Sequence, residues 1–276
     1  MTTSTITVPT LTGAPLATGP GARVKWAIAD TLTVAKRNLI AYTRIPEALF
    51  FSTVQPIMFV LLFVYVFGGA IHPPNGVSYT NYLMPGIFVQ TVAFGAVSTS
   101  VGLAEDLQKG LIERFRALPM ARSAVLAGRT TADLVRNVIV VVIVTAVGFA
   151  VGFRPTTGVL PYLGGIGIIL LFAYALSWGF AVIGLSASNS ETAQVISFPI
   201  LFPLTFASAA FVPVAYMPGW LRGFATYQPV SVVISACRGL MIGGPTATWV
   251  LQALAWTVGL LVVLTPLAVW RYRTRT

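Results

Sequence analysis

Long apolar runs separated by short polar breaks dominate this chain. Six of them span roughly 49–70, 83–104, 134–153, 161–187, 192–212 and 248–270. As a helix, each is long enough to cross about 30 Å of hydrocarbon. A barrel strand needs only about ten residues of alternating polarity. The pattern therefore predicts an all-α integral membrane protein with six transmembrane helices, whose backbone hydrogen bonds are satisfied internally.

Three other segments are patterned differently. In 23–45, Ile28, Leu32, Ala35, Leu39 and Tyr42 recur at helical spacing, with Asp30, Thr33, Arg37 and Arg44 opposite. This predicts an N-terminal amphipathic helix lying at the membrane interface; an ordinary juxtamembrane helix is the plainer alternative. In 105–118, Leu107, Leu111, Phe115 and Leu118 share one side and Glu105, Lys109, Glu113 and Arg116 the other, although Ile112 and Arg114 break the faces. Lys109 lies four residues from both Glu105 and Glu113, a spacing that supports a helix. Pro119 disfavours helix at Leu118 and should end it. Segment 213–240 mixes aromatic and aliphatic residues with Pro218, Gly219, Gly223 and Pro229. Two short re-entrant helices fit that mixture, as does a loosely folded apolar loop.

Charge orients these elements. With both termini cytoplasmic, fourteen of the 17 Lys and Arg residues fall on the inner side, leaving Arg154, Arg222 and Arg238 outside. Basic residues concentrate on the cytoplasmic face of membrane proteins, so the net charge of +10 reads as topology rather than as a nucleic-acid surface. The expectation is a multi-pass protein of the plasma (inner) membrane. Residues 1–22 carry no charge and lack the basic start and apolar centre of a signal peptide, which predicts a disordered cytoplasmic tail. Residues 23–276 then form one transmembrane domain. Only 9% of residues are charged, far below a soluble domain. Cys237 and His72 are the single residues of their kinds, which argues against a metal centre.

The stretch EDLQKGLIERFRALPMAR, residues 105–122, holds an outsized share of the charge. Solvation of a cytoplasmic loop explains its basic residues but not its three acids, because acids contribute little to orientation. The competing reading is a docking helix that grips a cytoplasmic partner. Within the spans, Gln55, Gln90, Phe94, Ser98 and Phe198 are candidates to line a central path; such residues also serve as glue between helices. Pro56, Pro199 and Pro203 are candidate kinks. Gly164, Gly165, Gly167, Gly179 and Gly184 suggest close packing, with a dimer interface as one use.

Residues 105–136, EDLQKGLIERFRALPMARSAVLAGRTTADLVR, resemble the cytoplasmic loop of ATP-binding-cassette type 2 permeases. Glu105, Gly110, Glu113, Arg114, Arg116 and Pro119 stand at the matching positions. Residues 211–231, FVPVAYMPGWLRGFATYQPVS, are similar to that family's outer segment before span six, with Pro213, Met217, Pro218, Trp220 and Pro229 in place. Among its branches, the daunorubicin-resistance permeases are the resemblance drawn. It implies two half-channels, a homodimer or a pair with a similar half, working with separate ATPase subunits. ATP and Mg would belong to those partners, since this chain has no G-x-x-x-x-G-K-[ST] phosphate loop. It further implies that 105–118, including Lys109, acts as a coupling helix seated in the ATPase. The implied function is export of a hydrophobic or amphipathic drug or lipid, with antibiotic resistance as one outcome. An ion-coupled carrier is the main rival, but all seven acids fall at or near span boundaries, which argues against a proton relay. A non-transporting membrane scaffold is the other. The chain itself is not expected to be an enzyme.

Overall fold

The computed structural model describes residues 20–44, 46–73, 76–111 and 122–275, and among them every regular element is helical. In chain order these are α1 (Pro20–Arg44), α2 (Pro46–Leu62), α3 (Tyr79–Gln108), α4 (Arg122–Ala150), α5 (Val159–Ser186), α6 (Ser190–Phe206), α7 (Gly219–Tyr227), α8 (Pro229–Ile242) and α9 (Ala247–Thr274). A π turn, Phe63–Phe67, continues α2 beyond Pro56. Local sequence sets several starts. The Ser78 side chain accepts from the Asn81 amide at 3.3 Å and Asn189 accepts from Thr192 at 2.6 Å. Each satisfies an N–H that the first helical turn leaves open. Pro229 occupies the first turn of α8, where its missing N–H costs nothing.

Four helices, α3, α4, α5 and α9, are long and apolar enough to cross a membrane. α3 is the most central. It packs against α4, α5, α6 and α8, and Leu83, Met84, Ile87 and Phe88 are fully buried along it. Close approach is made possible by glycine where backbones meet. A Cβ on Gly184 of α5 would stand 2.4 Å from the Ser100 carbonyl oxygen of α3, and one on Gly86 would stand 2.5 Å from Ala210 O. Gly165 abuts Met241 and Gly179 abuts Leu264, whereas Gly164 and Gly167 meet nothing within 4 Å. Three of the five α5 glycines thus serve packing within the chain.

The structure differs from the sequence expectations in four places. The expected amphipathic helix forms, but its buried face is Val34, Ala35 and Asn38, while Ile28 and Leu32 are exposed. The reason is the close approach of Val34 and Thr31 to Gly128 of α4, which selects that face for packing. Second, α1 begins at Pro20, within the residues expected to form the tail; residues 1–19 lie outside those described. Third, the helix expected over 105–118 is broken within its described part, and residues 112–118 lie outside the described residues. α3 runs through Glu105 to Gln108, and Gly110 at φ +65° turns the chain. Fourth, α4 starts at Arg122, well before the expected span at 134, and α6 ends at Phe206, short of 212.

Beyond α6, residues 207–213 are irregular yet largely buried. Their carbonyls are bonded by side chains: Tyr79 donates to Phe211 O at 3.1 Å, and Tyr82 and Arg238 donate to Ala209 O at 3.3 and 2.9 Å. Irregular backbone at such depth is tolerated only where protein satisfies it. All three arginines expected on the outer side donate to backbone carbonyls. Arg154 caps α4 at Phe149 O, and Arg222 reaches Ala215 O and Met217 O.

Candidate functional site: a cavity with a charged floor

α1, α2, α3, α4 and α6 enclose a cavity of about 800 Å³. Its α3 wall is a ladder of every fourth residue, Gln90, Phe94, Ser98, Gly102 and Asp106, because i and i+4 share a helix face. Gln55 on α2 and Phe198 on α6 complete it, so the five residues singled out as path candidates line one space. Phe94 and Phe198 meet edge to face with ring centroids 6.2 Å apart, and Phe59 adds a further aromatic surface. That part of the wall is apolar.

The opposite part is ionic. Asp106 lies 3.4 Å from Arg37 on α1 and 3.6 Å from Arg129 on α4. Arg129 also lies 3.8 Å from Asp133, and Arg136 lies 3.9 Å from the other oxygen of that carboxylate. Asp133 is 0% exposed and accepts hydrogen bonds from Thr99 Oγ1 at 2.6 Å and from the Tyr42 hydroxyl. Burial pushes the Tyr42 phenol up to about 12, and the neighbouring Asp133 charge adds to the shift. Arg136 spends a further donor on Gly95 O at 2.6 Å and stands over the Tyr42 ring at 5.5 Å. Three helices are thereby tied through one buried, compensated charge cluster.

The sequence alone does not reveal this cluster: Asp133 adjoins the apolar run that begins at 134 and so reads as a boundary residue, and Arg129 and Arg136 read as topology signals. Their spacing of 129, 133 and 136 marks one face of a helix, and that was the available signal. A buried carboxylate is what an ion-coupled carrier requires. Asp133 is therefore a buried acid within a membrane-length helix rather than a boundary one, and two arginines and two hydroxyls surround it.

The chain that builds this cavity matches the ABC-2 type transporter family model over residues 29–242, from α1 through α8. The chain belongs to the ABC-2 type transporter family. It is similar to the daunorubicin resistance ABC transporter permease protein DrrB1 of Streptomyces coeruleorubidus, 34% identical over 249 residues covering 90% of this chain and 88% of the relative. It is 27% identical to the probable doxorubicin resistance ABC transporter permease protein DrrC of Mycobacterium tuberculosis, with 90% of each chain covered. A putative transport permease, ycf38 of Pyropia yezoensis, is 27% identical over 77% of this chain and 74% of its own length. The protein is accordingly a multi-pass membrane permease of the ABC class.

In this ABC-2 permease the remaining motif residues divide between two regions. Glu105 and Lys109 line the cavity, form an exposed pair at 3.2 Å, and are followed by the Gly110 turn. Glu113, Arg114, Arg116 and Pro119 lie outside the described residues. Pro213 precedes a short 3₁₀ turn at Val214–Tyr216, with Met217 closing it. Pro218 caps α7, where Trp220 is 82% exposed, and Pro229 opens α8, which is largely buried. The ABC-2 permease therefore carries two helices in its pre-terminal segment, one presenting aromatics outward and one packed into the core.

Proposed function

We propose that this permease is the membrane half of an exporter that moves a hydrophobic or amphipathic molecule, a drug or a lipid, outward through the cavity. The observation that carries the reading is the convergence of Gln55, Gln90, Phe94, Ser98 and Phe198 on one space of about 800 Å³, within the range of small-molecule sites. α2 with its π turn and α6 complete six spans alongside the four long helices, with both termini cytoplasmic. Two copies form the pathway. Family membership implies an ATPase partner, and ATP with Mg is hydrolysed there, on a separate subunit.

In this reading the segment from Glu105 through Pro119 meets the ATPase. Asp106, one residue beyond Glu105, is joined to α1 and α4 through Arg37 and Arg129, so a push on the loop reaches three helices together. α7 and α8 stand at the outer leaflet. The exposed aromatics Trp220, Phe224 and Tyr227 suit the headgroup region, where Trp and Tyr favour the interface.

Co-purification with a Walker-motif ATPase, then reconstitution in lipid, tests the reading. Cargo should stimulate ATP hydrolysis, and Phe198→Ala should lower transport while leaving assembly intact. A permease that associates with no ATPase overturns it.

A further inference from the structure

The outward face of α1 mixes apolar and cationic side chains with no acid among them. Lys25, Trp26, Ile28, Leu32 and Lys36 are exposed, and helical spacing puts them on one arc of about 160°. Val34, Ala35 and Asn38 fill much of the remaining arc and are buried. Asp30 is the one acid of α1, and it lies half-buried outside the exposed arc.

Depth decides what can reach this arc. Ser123–Ala150 of α4 forms a membrane-length helix of 28 residues, about 42 Å long. A hydrocarbon layer of about 30 Å leaves ~6 Å of it among the headgroups at each end. Gly128 lies about 7.5 Å inside the start of that helix, at the boundary between headgroups and acyl chains. There α1 meets it: a Cβ on Gly128 would stand 2.6 Å from Val34 Cβ and 2.8 Å from Thr31 O. Farther along, Tyr42 reaches Asp133, deeper in the same helix, so α1 slants from the headgroups toward the acyl chains. Lys25 and Trp26 then stand on the headgroup side, where Trp favours the interface. Ile28 and Leu32 flank the boundary. Lys36 stands just inside it, and its long stem returns the ammonium to the headgroups.

A water-soluble subunit does not reach acyl-chain depth, whereas a lipid does. Two lysines on an acid-free arc complement an anionic headgroup and gain less from a net-neutral one. We propose that this arc of α1 is a binding surface for anionic phospholipid of the adjoining leaflet. Lys25 and Lys36 hold the headgroup phosphates, and the acyl chains lie on Ile28 and Leu32. The inner side of the same helix holds Asp106 through Arg37 and Asp133 through Tyr42. The lipid therefore lies against the outside of a cavity wall, and its binding does not depend on what the cavity carries.

Trp26 reports on the surface directly. The full chain with its ATPase is placed in phosphatidylcholine nanodiscs containing a minor share of phosphatidylglycerol, with bromine on the acyl chains of one lipid or the other. Fluorescence lost by the wild type beyond that lost by Trp26→Phe is the quenching of Trp26. At equal mole fractions, brominated phosphatidylglycerol should be enriched around Trp26 about fivefold or more over brominated phosphatidylcholine, the factor carried by each lysine near an anionic surface. Lys25→Gln with Lys36→Gln should remove the preference in protein whose Tm and elution volume match the wild type. Salt at about 1 M should remove it from the wild type itself, so the result does not depend on how the variant folds. Equal quenching by both lipids in the wild type overturns the charge selection. Quenching by neither overturns the lipid surface and assigns the arc to a second copy or to the ATPase. A preference that survives both the lysine substitutions and salt overturns the role of Lys25 and Lys36. Each of these failures leaves the export reading standing.

Discussion

Tyr42 on α1 donates its hydroxyl hydrogen to Asp133 on α4, joining residues 91 positions apart in the chain. The bond places a phenol against a carboxylate with 0% exposure, beside two arginines. It is the point at which the amphipathic helix becomes part of the bundle rather than an accessory lying beside it.

Tyr42→Phe should destabilise the protein by about 1.5 kcal/mol, the usual range for a hydrogen bond to a charged group. The same residue sets a pH dependence. The Tyr42 phenol is raised from 10.0 to about 12, first by burial and then by Asp133. Its unfolded form releases the proton earlier, so the stabilisation is complete below about pH 10 and is lost as pH rises through about 12. Thermal unfolding in detergent between those values should show a Tm that falls more steeply in the wild type than in the Phe variant.

Asp133→Asn should cost about 3 kcal/mol, because Arg129 and Arg136 lose a buried counter-charge. Combining it with Tyr42→Phe should cost less than the sum of the two, by about 1 kcal/mol. Additive losses in a double-mutant cycle would mean that Tyr42 and Asp133 are not energetically coupled.

Gly184→Ala should destabilise by about 2 kcal/mol, since its Cβ would stand 2.4 Å from a backbone oxygen that cannot move aside alone. Gly164→Ala meets nothing within 4 Å and should be neutral or stabilising by up to ~1 kcal/mol within the protomer. Oligomer distribution by light scattering adds a second reading: a shift toward monomer in the Gly164 variant places that open face between copies.

Arg238→Lys preserves charge but not geometry. The guanidinium donates to both Tyr82 O, at 3.0 Å, and Ala209 O, at 2.9 Å, while lying 3.6 Å above the Tyr82 ring. A single ammonium cannot reproduce that fork. The expected loss is about 1–3 kcal/mol, with increased proteolysis near residues 207–213 as the local readout.

Glu105→Gln removes an exposed pair in which Lys109 is 65% accessible, so Tm should change by less than the equivalent of ~0.5 kcal/mol. If the segment meets the ATPase, cargo-stimulated hydrolysis in the assembled complex should fall severalfold all the same. Unchanged coupling, in this variant and in Glu113→Gln, would sink the docking role.

Much of this molecule follows from its sequence. Apolar runs too long for strands dictate helices, because only helices satisfy the backbone locally in lipid, and Pro229, Ser78 and Asn189 help to set where some begin. Gln90, Phe94 and Ser98 stand out in the sequence as polar or aromatic residues within a span, and their four-residue spacing puts them on one face of α3. The tertiary structure decided what each face meets. Asp133 reads as a boundary acid until α1 brings Tyr42 and α3 brings Thr99 to it. Ile28 and Leu32 of the apolar stripe stay exposed while Val34, outside that stripe, is buried with Ala35, because Gly128 on α4 lets Val34 approach closely. Periodicity records which residues lie together on a helix; the steric and ionic fit between helices determines which of those faces is buried, and no single helix contains that information.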